Sequence, residues 1–329
     1  MRYSCSFYRP EDLDAIESLI VASYAWSHPV WGLSRQEFCL GLHPNHTGYR
    51  NAWLHTVGVF REGEQVAACV INEGNYDGEV FFLFDSEARS QDRELLAAMI
   101  RFAKTQGATV GPDRRKRFVD MAVPASNKVL TEMLLQCGFQ LTDRKDIHLI
   151  LPFDRPAFDV SLPQGYTIVD GGKTPAFYLS NVHRQSFAYG RESHACDHGA
   201  DAFAELRTMK HYRKDLELCV LDPTGMPVAF CMIWHDPRLP YCELEPLAVS
   251  WWERRKGIGT AILHEAANRV MRLDPACTGM LGGDQEFYAR IGYEKKAETP
   301  RYHWEIDVVI SWEKESFDRR YDQEAFLTD

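Results

Sequence analysis

The chain has 329 residues, 45% of them hydrophobic and 26% charged, with a formal net charge of −10 at pH 7. That length suits two domains of about 100–200 residues each, and the acidic balance argues against nucleic acid as a partner, because phosphate backbones reward clustered Lys and Arg. No stretch reaches the ~18 apolar residues of a membrane span, the first residues lack the apolar core of a secretory signal, and nine scattered cysteines, some inside apolar runs as Cys69 and Cys231 are, suggest reduced thiols. The expectation is a cytoplasmic protein with no membrane partner.

In the first half, 57–60, 66–71 and 79–84 read as strands, the first two joined by a Glu62-Gly63-Glu64 turn. Leu95, Leu96, Met99, Ile100 and Ala103 then mark the apolar face of a helix. The short basic run Arg114-Arg115-Lys116-Arg117 reads as a solvated loop, and Cys137-Gly138-Phe139 as a turn. Pro152 and Pro156 break regular structure between 151 and 160. They set the expected division: a domain at 1–153, a second at 154–310, and an acidic, mixed tail at 311–329.

The second half follows the same plan. A strand at 165–169 opens it, and strands at 216–221 and 228–234 flank the turn signal Asp222-Pro223-Thr224-Gly225-Met226-Pro227. A third run, 241–249, leads into Trp251-Trp252-Glu253-Arg254-Arg255-Lys256-Gly257-Ile258-Gly259. Beyond it Ile258, Ile262, Ala266 and Val270 recur every four residues as one helix face. A strand-like 278–281 precedes 285–291 and the turn Gly292-Tyr293. Sliding one half along the other lays VAACVI (66–71) over VAFCMI (228–233), and Cys137-Gly138-Phe139 echoes Ile291-Gly292-Tyr293. The chain reads as two copies of one α/β domain.

The glycine turn of the second copy follows a strand and opens a helix, where unpaired N–H groups and the helix dipole favour an anion. Glycine lets the backbone approach it closely. Lys256-Gly257-Ile258-Gly259-Thr260 does not supply the G-x-x-x-x-G-K-[ST] of a P-loop. A dinucleotide fingerprint would need Gly or Ala where Ile262 stands, and a parallel start where these strands are hairpin-linked. What remains is R-x-x-G-x-G from Arg254 to Gly259, five residues after Val249.

That pattern, the Glu245-Pro246-Leu247-Ala248-Val249 run before it and FYARIGY (287–293) after it resemble the GNAT acyltransferase superfamily, over roughly 160–306 in element order. The resemblance implies two tandem GNAT-like domains, each a mixed, largely antiparallel sheet flanked by helices, with acetyl-CoA as co-substrate and no metal. The N–H groups of Arg255, Lys256, Gly257, Ile258, Gly259 and Thr260 would cradle its pyrophosphate, with Arg254, Arg255 and Lys256 adding charge. Pro246 cannot donate to a ladder, so it belongs at a bulge or an edge. In GNAT folds this strand is bulged and splays from its neighbour, which gives the pantetheine arm Leu247, Ala248 and Val249 to pair with.

Acyl transfer to an amine needs the neutral amine, and an alkylammonium of pKa about 10.4 is only ~0.1% neutral near pH 7. A base near the acceptor helps. Glu245 is the candidate; Glu243, two residues earlier on the same strand face, is the second choice. A backbone N–H of Leu247 or Val249 is placed to stabilise an oxyanion. By the resemblance, Tyr288, four residues before Gly292, protonates the leaving thiolate. The stretch Gly282-Gly283-Asp284-Gln285 lacks the Asn that family members often carry before this helix, so acceptor contacts do not transfer.

The first copy lacks these groups. Phe81 falls roughly at the place of Glu245, 85–92 has three acids and no glycine, and Leu134 stands four residues before Gly138. It reads as a scaffold and a wall of the acceptor site. The expected activity is transfer of acetyl from acetyl-CoA to a primary amine, of a small molecule, by direct attack. A protein lysine acceptor, a thiol precursor of the kind acetylated by tandem-domain synthases, and a non-catalytic acyl-CoA sensor are the alternatives. His194, Cys196 and His198 match no strong zinc pattern, so no metal is expected. Trp251 and Trp252 suit adenine stacking or a sheet edge, with at least one expected on the edge.

Overall fold

The computed structural model describes residues 2–24, 56–72, 78–111, 115–187 and 199–308. They form two compact units: one holds the described residues before Ile147 and from Glu298 onward, the other those of Ile147–Ala297. Among the described residues no helix is long and apolar enough to cross a membrane.

The first unit opens with β1 (Ser4–Phe7) and α1 (Leu13–Ser23), followed by β2 (Gly58–Glu62), β3 (Gln65–Asn72) and β4 (Val80–Phe84). These strands form an antiparallel sheet in the order β1-β2-β3-β4. Gly63 turns the β2–β3 hairpin at φ +62°, a conformation that costs glycine little. Next comes α2 (Arg93–Thr105), whose apolar face (Leu95, Leu96, Met99, Ile100, Ala103) is fully buried against Phe60, Ala68, Val70 and Phe84. Its start is sealed by Asp92, whose Oδ1 accepts the N–H groups of Glu94 at 3.0 Å and Leu95 at 3.2 Å.

Then follow β5 (Thr109–Val110), β6 (Lys116–Ala122), α3 (Lys128–Gln136) and β7 (Gln140–Pro152). The sequence division at 153/154 differs from the compact units, which are cut inside β7.

The second unit continues with β8 (Thr167–Asp170), α4 (Ala176–Phe187), α5 (Ala200–Leu206), β9 (Glu217–Leu221), β10 (Pro227–Trp234), β11 (Cys242–Val249), α6 (Ile258–Leu273), β12 (Gly279–Gly282) and α7 (Glu286–Arg290). Its strands run in the order β7-β12-β11-β10-β9-β8, antiparallel except for the β11–β12 pair. This is the mixed, largely antiparallel sheet expected from the sequence. Ile258, Ile262, Ala266 and Val270 bury the predicted face of α6 on one side of the sheet. Leu179, Val182 and Phe203 from α4 and α5 cover Cys219, Phe230 and Ala248 on the other. Asn268 breaks the apolar face of α6 to bracket the connecting segment: Phe158 N–H donates to its Oδ1 at 2.7 Å, and its Nδ2 donates to the Phe158 carbonyl at 2.9 Å.

The last strand, β13 (Glu294–Asp307), pairs antiparallel with β6 from Arg301↔Ala122 to Asp307↔Lys116. Residues from Glu298 onward, placed by the sequence in the second domain, therefore complete a sheet of the first unit. Strand partners are set by register against residues far away in the chain, which a linear division cannot register.

Candidate functional site

The second unit's sheet is interrupted between β10 and β11. Along β10 and β11, Cys231 faces Leu247 while Ile233 faces Leu244, so two steps on one strand match three on the other. The surplus residue makes a β-bulge at Glu245-Pro246, where the peptide bond is cis. Trp234 supports it from β10: its indole N–H donates to the Glu245 carbonyl at 2.6 Å. The bulge also reverses the alternation of side chains. Cys242 and Leu244 face α6 before it; after it Leu247 and Val249 do, while Ala248 turns to the opposite layer.

Pairing with β12 stops at the same level. The parallel register covers Cys242↔Met280 and Glu243↔Leu281. β12 then ends at Gly282, while β11 runs on to Val249. Ser250 N–H donates to the Val228 carbonyl at 2.9 Å, which marks that opposed pair as hydrogen-bonded. Alternation along an antiparallel ladder then directs the N–H and C=O groups of Leu247 and Val249 away from β10, and those of Ala248 toward it. Of the three residues expected to meet a pantetheine arm, two present backbone to the splayed side.

Beyond β11 the chain makes a turn of alternating hand. Arg255 has φ +64°, the one positive value at a non-glycine among the described residues, and Gly257 has φ +81°. Such alternation makes successive N–H groups converge. Gly257 begins α6 without a side-chain cap, and the helix's own ladder starts with Ala261 N–H on the Gly257 carbonyl at 3.0 Å. The N–H groups of Ile258, Gly259 and Thr260 precede that bond and have no intrahelical acceptor. Gly259 is closely approached: a Cβ there would stand 3.4 Å from Phe287 and 3.5 Å from Val249.

The three basic side chains divide their roles. Arg254 donates to the Ser186 carbonyl at 2.5 Å and ties the turn to α4. Lys256 pairs with Glu253 at 3.0 Å, and Glu253 also accepts the Tyr166 hydroxyl at 2.7 Å. Arg255 is exposed and makes no hydrogen bond or ion pair among the described residues. Trp251 and Trp252 are 48% and 44% exposed and meet edge to face at 5.6 Å. Both rings are half exposed.

Tyr288 lies on α7, a short helix closed by left-handed Gly292 (φ +97°), with Tyr293 N–H on the Tyr288 carbonyl at 3.0 Å. Its ring packs edge to face with Tyr293 at 5.0 Å and Phe287 at 5.2 Å. Burial, and then the negative charge of Glu245, push its phenol up to about 12, against a backbone hydrogen bond from Gly283. Glu245 and Tyr288 thus share one electrostatic neighbourhood, reached from the bulge and from α7. Glu243 lies inside the ladder, opposite Trp234 and Leu281; Glu245 is exposed, where the ladder has opened.

The sequence reading missed Trp234, although the internal repeat held a clue. Where VAFCMI continues to Trp234, VAACVI continues to Asn72, whose side-chain amide donates to Thr109 at 3.0 Å instead. The comparison of Phe81 with Glu245 also shifts by one residue. Ile71 faces Phe81 as Ile233 faces Leu244, so Phe82 stands opposite Val70 where the second unit holds its bulge. His194, Cys196, His198, Arg114 and the tail at 311–329 lie outside the described residues.

Residues 184–293 match the acetyltransferase (GNAT) family. The chain is similar in structure to a GCN5-related N-acetyltransferase from Sphaerobacter thermophilus, with a TM-score of 0.57 and 15% identity over 94% of this chain and 98% of that one. It is similar also to a tandem GNAT protein from the clavulanic acid biosynthesis pathway, with a TM-score of 0.56 and 14% identity over 92% and 98% of the two chains. At these identities the likeness is one of fold. No curated protein matches the chain by sequence.

Proposed function

From the match of residues 184–293 to the acetyltransferase (GNAT) family, we propose that the second unit transfers acetyl from acetyl-CoA to the primary amine of a small molecule. Enzymes of this family take an acyl-CoA co-substrate. One conjunction carries the reading: an uncapped helix start of alternating hand adjoins a strand that is bulged and splayed beside Glu245 and Tyr288.

The N–H groups from Arg255 to Thr260 hold the pyrophosphate, and the exposed Arg255 adds charge; Arg254 and Lys256 shape the turn through Ser186 and Glu253. Leu247 and Val249 offer N–H and C=O groups to the pantetheine amides, and one of these N–H groups can face the thioester oxygen. Glu245, directly or through water, takes the proton that the amine loses as it attacks the carbonyl carbon. Tyr288 keeps its own proton across the working pH range, because burial and Glu245 raise its phenol. The departing alkyl thiolate is a weaker base than that phenolate, so Tyr288 serves the departing sulfur as a hydrogen-bond donor. The proton that ends on sulfur comes from solvent. The first unit carries no such set, and we assign it a non-catalytic role.

The test is release of free CoA and formation of acetylated product across a panel of small amines, lysine peptides and thiols, for the wild type and the Glu245→Gln and Tyr288→Phe variants. Turnover on small amines that both variants impair is the expected result. Tight acetyl-CoA binding with no turnover on any acceptor would replace the enzyme by a sensor, and preference for a peptide or a thiol would replace the acceptor class.

A further inference from the structure

Tyr293 follows left-handed Gly292 at the end of α7 and is 5% exposed. Its hydroxyl is buried and has no hydrogen-bond partner among the described residues. A buried hydroxyl left in that state is destabilising, and packing does not require it, as the first unit shows. There Phe139 takes the same position, after left-handed Gly138 (φ +87°), with its N–H on the Leu134 carbonyl at 3.0 Å, and is 2% exposed. A ring without a hydroxyl fills the corresponding place.

The hydroxyl end of Tyr293 lies where β11 and β12 part. A Cβ on Gly282, the last residue of β12, would stand 2.7 Å from Cε1 and 3.1 Å from Cζ of Tyr293, and 3.2 Å from Cδ1 of Tyr288. Only glycine lets both rings close on the strand end. The groups that act on the Tyr293 phenol are Tyr288, Cys242 at the start of β11, and Cys231, which faces Leu247 just past the bulge. Burial, the largest influence, holds that phenol well above its ordinary value, so it stays a donor.

We propose that the Tyr293 hydroxyl is a second catalytic donor of this site, hydrogen-bonding the thioester sulfur beside Tyr288 as the C–S bond breaks. This rests on the acetyl-CoA reading above. The amine forms the C–N bond and gives its proton to Glu245; the electron pair of the C–S bond passes to sulfur, which is protonated from solvent. Both tyrosines keep their protons and share the charge on sulfur by donation.

Tyr293→Phe installs the residue that the first unit already carries, so the fold and its melting temperature are expected to hold. Calorimetric titration from pH 8 to pH 10, over which the thiolate fraction of CoA rises, compares CoA with desulfo-CoA. The variant is expected to lose about tenfold in affinity for CoA and nothing for desulfo-CoA, and about tenfold or more in kcat with the KM for acetyl-CoA unchanged. Equal losses for both ligands, or CoA binding like that of the wild type, would overturn the role at sulfur. Failure of the wild-type protein to bind either ligand would instead overturn the acetyl-CoA reading, and the inference with it.

Discussion

The helices that follow β4 and β11 begin in opposite ways. α2 starts on Asp92, whose Oδ1 takes two backbone N–H groups while its Oδ2 accepts Tyr3 at 2.6 Å and Arg2 at 3.1 Å. α6 starts on Gly257 with no side chain at its N–H groups. Every helix start leaves unpaired donors. One unit satisfies them with its own carboxylate, and the other leaves them without a side-chain cap. The strands ahead differ to match: β4 pairs with β3 without a register shift, whereas β11 carries a surplus residue under Trp234. A shared plan therefore does not imply a shared site, and the difference rests on a few side chains and one strand length.

The most disruptive way to test this contrast is to give the second unit the first unit's cap. Gly257→Asp puts a carboxylate at the N-cap of α6, and acetyl-CoA affinity should fall on the order of a hundredfold by calorimetry, through repulsion and competition for the same N–H groups. Gly257→Asn, which also tolerates the left-handed conformation, should lose far less. Equal losses in both variants would mean that backbone shape, not charge, separates the two helix starts.

Tyr288→Phe, which removes the hydroxyl that Leu134 lacks, should lower kcat by about 10²-fold with little change in the KM for acetyl-CoA. Unchanged kcat would deprive the Leu134 comparison of meaning. The coupling of Tyr288 to Glu245 can be read from tyrosinate absorbance, as the difference between wild type and Tyr288→Phe. The phenol, pushed up to about 12, should titrate above the ordinary value of about 10. In a Glu245→Gln background the charge that favours the protonated form is gone, so the same transition should move to lower pH. A transition that stays in place would separate the two residues. The folded protein binds this proton more tightly than the unfolded chain, so its contribution to stability is full below pH about 10 and is lost as pH rises through about 12.

The smallest effect is expected in the first unit. Asp92→Ala should lower stability by about 1–2 kcal/mol, seen as a modest drop in melting temperature, and leave acetyl-CoA affinity as it was. Lost affinity would show that the sealed helix start is not merely structural.

Much of this was legible because its causes are local. Apolar runs and turn residues marked β9, β10, β11 and α6 within a residue or two, since alternation and the four-residue recurrence survive in the sequence. Pro246 announced an interruption because it cannot donate to a ladder. What stayed hidden depends on partners. α4 escaped notice because AFYLSNVHRQSF mixes polar and apolar residues and buries His183 and Ser186 as well as Leu179 and Val182. The pairing of β13 with β6, the indole of Trp234 on the Glu245 carbonyl and the engagement of Arg254 with Ser186 all join residues distant in the chain. The one-residue error at Phe81 has the same origin, since a bulge shifts every position counted through it.

The surplus residue in β11 acts as a change of phase. Upstream of it even-numbered side chains face α6; downstream odd-numbered ones do. No substitution can undo that offset, because exchanging a side chain leaves the count unchanged. Only a deletion can, and removing Pro246 would swing Leu247 and Val249 to the other layer, or drag the whole turn at 254–260 one step along. The bulged strand and its regular counterpart are thus separated by an insertion, a discrete step with no intermediate form, and the glycine turn is held in place by how many residues precede it as much as by which they are.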